Sequence, residues 1–75
     1  MMDMEDKVLL LGIYKKEEGE SLKDVLLMLE NSNLFSLKEG KKRLKALKSS
    51  GMIKDGALTL IGIEKAKEVE QEFKL

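Results

Sequence analysis

Between Ser36 and Lys54 stand Lys38, Lys41, Lys42, Arg43, Lys45, Lys48 and Lys54, opposed by Glu39 alone, for a local charge of +6. Ammonium groups repeated at three- and four-residue spacing share a side of a helix, and such a row can neutralise a run of phosphates or carboxylates. Other chemistry has less to work with. The 75-residue chain contains no Cys and no His, which removes disulfides, the usual zinc ligand sets and Cys- or His-based catalysis. An enzyme would have to use carboxylates, lysines, serines or Tyr14. The acidic cluster Glu17, Glu18 and Glu20 is better explained as an exposed loop than as a paired acid and base. We therefore expect no catalytic residues, no cofactor site, no metal site and no small-molecule substrate. The bland account of the lysines is a solvated face, since 37% of the chain is charged and lysine stems can cover the edge of a core.

Positioning the lysines requires a helix, and the sequence supplies one. Ser36 can cap it, with Glu39 three residues on to complete a capping box. Leu37, Gly40, Leu44 and Leu47 make a narrow apolar stripe. The opposite side carries Lys38, Lys42, Lys45 and Ser49, with Lys41, Arg43 and Lys48 flanking the stripe. Gly51 offers the left-handed position that stops helices. Met52 to Thr59 then reads as a minimal β-hairpin turning on Asp55-Gly56, a pair suited to a type I′ turn. Thr59 can cap a last helix, Leu60 to about Phe73, that buries Gly62, Ala66, Val69 and Phe73 with Ile63 beside them.

Upstream, Asp3 to about Lys16 has helical spacing in Met4, Val8, Leu11 and Gly12, widened by Leu10 and Tyr14. Leu9 and Ile13 point to the other side, so this helix is apolar nearly all round. We expect the last helix to pack back on it, covering Leu9 or Ile13 in a monomer; the alternative is a homodimer through those two residues. Ser21, with Asp24, caps a second helix striped by Leu22, Val25, Leu26 and Leu29, and Asn31-Ser32-Asn33 ends it. Leu34-Phe35 plugs the core beneath the third helix. Gly12, Gly40 and Gly62 lie inside helices, where close crossings explain them better than phosphate loops do. The expected core is Val8, Leu11, Leu26, Leu29, Leu44, Leu47, Ile53, Leu58, Ala66 and Val69.

The expectation is one domain over residues 1–75, mainly α with a small β-hairpin (α+β). Its charge is segregated: −4 over residues 1–35, +6 over 36–54 and −2 over 55–75, for a net charge of zero. The four-residue apolar run Val8 to Leu11 is neither a signal peptide nor a membrane span. A reducing, cytoplasmic setting fits the absence of Cys.

The order helix, helix-turn-helix, G-M-I into a hairpin, then L-T-L-x-G-I-x-x-A opening a last helix resembles the winged-helix superfamily of bacterial and archaeal DNA-binding domains. Leu44, Leu47, Gly51, Met52 and Ile53 carry the resemblance at the helix-to-wing junction; Leu58, Thr59, Gly62 and Ala66 carry it at the wing-to-helix junction. The resemblance implies a third helix in the major groove and a hairpin tip near the backbone. By it, Ser36, Lys38, Lys42 and Lys45 face the nucleic acid and Lys54 lies along the wing, with Lys41 and Lys48 helping. Three departures limit what it implies. The inter-helix turn is N-S-N-L-F, the wing tip is only Asp55-Gly56, and the exposed helix face lacks Asn, Gln and Thr. Lysines alone favour phosphates, which position a protein without specifying sequence. The implied role is a weak or low-specificity duplex DNA binder with a place in transcription. The competing role is a protein-interaction module or subunit without nucleic acid, its surface sought at Leu27 and Met28.

Overall fold

The computed structural model describes residues 3–17 and 19–74. Their order is α1 (Met4–Lys15), α2 (Leu22–Asn31), α3 (Leu37–Ser49), β1 (Ile53–Lys54), β2 (Ala57–Leu58) and α4 (Leu60–Phe73). The protein is thus mainly helical with one small antiparallel hairpin, as the periodicities require. Glu18 lies outside the described residues; of the acidic loop around it, the Glu17 amide donates to Glu20 Oε1 at 2.7 Å.

Every helix start is held by an oxygen side chain in extended backbone. Asp3, Ser21, Ser36 and Thr59 accept from the amides of Asp6, Asp24, Glu39 and Gly62. Each such cap stabilises by about 1 kcal/mol. Ser21 and Asp24 form the full reciprocal box. The box expected at Ser36 is only half made, because the Glu39 carboxylate turns to Arg43 at 3.1 Å. The next amide is satisfied from a distance: Glu30 Oε2 accepts from the Leu37 amide at 2.9 Å.

Two helices stop in the same way. After α2, Asn33 adopts φ 63° and the Asn33 and Leu34 amides donate to Glu30 and Leu29 carbonyls at 3.0 and 3.2 Å. After α3, Gly51 adopts φ 84° and the Gly51 and Met52 amides donate to Lys48 and Leu47 carbonyls, both at 3.1 Å. Both are Schellman closures. The first aims Leu34 and Phe35 at the core, where both are half-buried. The hairpin pairs Ile53 with Leu58 and Lys54 with Ala57. Asp55 and Gly56 both take positive φ (53° and 79°), as a type I′ turn demands.

The core has two lobes that share α1. Leu9 and Ile13 pack with Val25, Leu26, Leu29, Leu47 and Ile53, while Leu10 packs with Ala66 and Val69. Here the structure corrects the sequence reading. α4 does return to α1, but it covers Leu10, with Leu11 and Tyr14 at the edge; Leu9 and Ile13 are buried beneath α2, α3 and the hairpin instead. The whole face of α1 is turned from the stripe expected. Val8 and Leu11 become half-buried flanks, Met4 is 57% exposed, and Leu44 and Leu58 are likewise only half-buried. Phe73, expected on the buried stripe of α4, is 40% exposed.

Candidate nucleic-acid interface

α3 docks on the core by Gly40 and Leu47, with Leu37 and Leu44 half-buried beside them. Gly40 allows the approach: a Cβ there would lie 2.9 Å from Leu26 Cδ2 and 2.8 Å from Phe35 Cε1. Ser36, Lys38, Lys41, Lys42, Lys45, Lys48 and Lys54 are all exposed. At about 100° per residue, with Leu44 as origin, Lys48, Lys41, Lys45, Lys38 and Lys42 fall at roughly 40°, 60°, 100°, 120° and 160°. The five lysines therefore share one flank of the helix. Lys54, on β1, follows beyond its C-terminal end.

Arg43 falls on the other flank and is withdrawn from the lysine row. Its Nη1 lies 2.9 Å from Asp3 Oδ1 and 3.0 Å from Asp6 Oδ1, and its Nη2 lies 3.1 Å from Glu39. The side chain keeps 19% of its exposure, and Nε is buried without a partner among the described residues. The carboxylates of Asp3 and then Asp6 hold the guanidinium proton more tightly than usual. The Asp6 amide and then Arg43 hold the Asp3 carboxyl below its ordinary range. Arg43, placed beside the apolar stripe by its spacing and not among the expected contacts, is held by an acidic cluster that the spacing alone does not reveal. The missed signal was Asp3 and Asp6, three apart at the start of a helix that must cross α3.

The other described acids are largely engaged within the molecule. Glu72 meets Lys7, Glu70 meets Lys15 and Glu68 meets Lys65. Asp24, Glu20 and Glu30 accept from backbone amides. The contact with Lys15 pulls the Glu70 carboxyl down and pushes the Lys15 ammonium up. Lys38, Lys41, Lys42, Lys45, Lys48 and Lys54 form no ion pair among the described residues. The five α3 lysines thus form a row of positive charge along one flank of the helix with no ion pair among the described residues, suited to a polyanion.

Apolar exposure is scattered by comparison. Leu27 and Met28 are 37% and 55% exposed, while Leu60 and Ile61, at the first turn of α4, reach 74% and 62%. The stripe expected for this helix, Gly62, Ala66, Val69 and Phe73 with Ile63 beside it, leaves this pair out. An open groove of about 330 Å³ is lined by Ile13, Tyr14, Lys16, Ala57, Leu58 and Ile63. Among the described residues no helix is long and apolar enough to cross a membrane. Comparison with family models, curated proteins and solved structures gives no match to this chain.

Proposed function

We propose that this chain is a winged-helix domain that binds duplex DNA with little sequence preference, in a cytoplasmic, transcription-associated role. The observation that carries the reading is the one-sided row of exposed lysines that form no ion pair among the described residues. Lys38, Lys42 and Lys45 are its principal contacts, and Lys41, Lys48 and Lys54 extend it. The element order, three helices followed by a hairpin and a fourth helix, supports the winged-helix resemblance. The lack of Asn, Gln and an available Arg on the strip supports phosphate contact over base readout. The exposed pairs Leu27-Met28 and Leu60-Ile61 favour the second reading, a protein-interaction module.

Salt dependence separates the two readings. If about four phosphates are neutralised, log K for a generic duplex falls against log salt with a slope of roughly −3 to −4. Fluorescence anisotropy on two duplexes of unrelated sequence should give that slope for both, with affinities alike. A slope near zero, or no binding at low salt, removes the DNA reading and leaves the protein-interaction module.

A further inference from the structure

Negative groups lie at the N-terminal turn of α3, on its α1 flank and at the hairpin tip. At the N-terminal end, the Glu30 carboxylate sits 2.9 Å from the Leu37 amide. The Ser36 hydroxyl accepts from the Glu39 amide at 3.2 Å. In the first turn of α3, where a helix usually offers unpaired amides to a phosphate, the Leu37 and Glu39 amides are therefore already engaged, and the turn carries an anion. Along the α1 flank, Asp3, Asp6 and Glu39 surround Arg43, three carboxylates for one guanidinium. At the hairpin tip, Asp55 is exposed. On the opposite flank, Lys38, Lys41, Lys42, Lys45 and Lys48 form no ion pair with any acid among the described residues.

We infer that a duplex docks side-on, its phosphate backbone running along the Lys38–Lys48 flank, and that Glu30 acts as a guard that keeps the N-terminal turn of α3 from leading into a groove. This rests on the DNA reading above and specifies its geometry. The strip is about 15 Å long from Lys38 to Lys48 at 1.5 Å per residue, enough to follow several phosphates of one strand at about 3.4 Å of helix axis each. A helix held this way presents no side chain to base edges, which accounts for lysines where a sequence reader would carry Asn, Gln or Arg. Ser36 belongs to the guarded end and makes no contact. Lys38 contributes from the side of the same turn, because its position is close to that of Lys45 around the helix.

The absence of Cys makes single-cysteine mapping clean. Ser49→Cys places a thiol at the far end of the lysine flank. Ser36→Cys and Asn31→Cys each place one near the guarded end, the second without touching a cap. Each is coupled to a thiol-directed photocrosslinker and irradiated with a generic duplex at low salt, after circular dichroism confirms the helical content. The Ser49→Cys adduct should crosslink at least tenfold more than either of the other two. Adding Glu30→Gln, which keeps an acceptor for the Leu37 amide but removes the charge, should raise crosslinking at the guarded end. Equal or greater crosslinking from the Ser36→Cys and Asn31→Cys adducts in the presence of Glu30 overturns side-on docking and leaves DNA binding intact. Failure of all three adducts, with no anisotropy change for the duplex, overturns the DNA reading and this inference together.

Discussion

Replacing Lys38, Lys42 and Lys45 together with Glu is expected to abolish duplex binding while the chain still folds and melts cooperatively. The three positions are exposed and engage no ion pair among the described residues, so their removal costs the fold little. Surface substitutions of this kind stay within about 0.5 kcal/mol each. The electrostatic effect is of another size. Each reversal removes one phosphate contact and adds one repulsion at the centre of the strip, so affinity at low salt should fall by at least about 100-fold. Anisotropy measures the loss and thermal circular dichroism confirms the fold. Binding that survives within threefold would show that the strip is a solvated face and no more.

The largest effect on stability is expected from Gly62→Ala. A Cβ at Gly62 would lie 2.2 Å from the Met52 carbonyl oxygen and 3.1 Å from its carbon. Both atoms are backbone and cannot swing aside as a side chain would. That carbonyl also accepts from the Thr59 amide at 2.9 Å, and Thr59 Oγ1 donates to the Gly51 carbonyl at 2.6 Å. Pushing α4 away therefore breaks the junction between α3, the hairpin and α4 at once. Alanine is the better helix former by about 1 kcal/mol, but overpacking against backbone outweighs it. We expect a net loss of at least about 2 kcal/mol, or a melting temperature lower by about 8–16 °C in a domain of this size. Gly12→Ala is the contrast. Its Cβ would meet the Val25 Cγ1 methyl at 3.2 Å, a contact that a small shift relieves, so it should be neutral or slightly stabilising. If both substitutions have the same effect on melting, the close approach at Gly62 is not what its glycine serves.

The features legible in the sequence were those set by local chemistry. Asp55-Gly56 fixed the hairpin because few pairs accept positive φ twice, and Ser21, Ser36 and Thr59 fixed three helix starts because their hydroxyls satisfy nearby amides. Exposure of the α3 lysines followed from the narrow stripe of Leu37, Gly40, Leu44 and Leu47. What stayed hidden was set by partners far away in the chain. α1 carries Leu9, Leu10, Leu11 and Ile13, so its periodicity has no strong direction and its rotation is decided by what docks on each side. Arg43 and Glu39 are four apart and look like a local pair. Only the crossing of α1 brings Asp3 and Asp6 to complete the cluster, across 40 and 37 residues. Glu30 likewise caps a helix seven residues ahead, beyond the span of any capping motif. Both hidden features bear on the site, since they remove the arginine and guard the N-terminal turn of α3.

The most direct measurement is an amide-shift titration of the unsubstituted chain with a generic duplex, once at low and once at moderate salt. At low salt the shifts should concentrate between Lys38 and Lys54, strongest around Lys45, and spare Glu68 to Phe73 of α4. At moderate salt they should shrink together, as contacts made through counterion release must. Absence of any shift between Ser36 and Lys54 at low salt would contradict the account, and the interaction surface would then be sought at Leu27-Met28 and Leu60-Ile61.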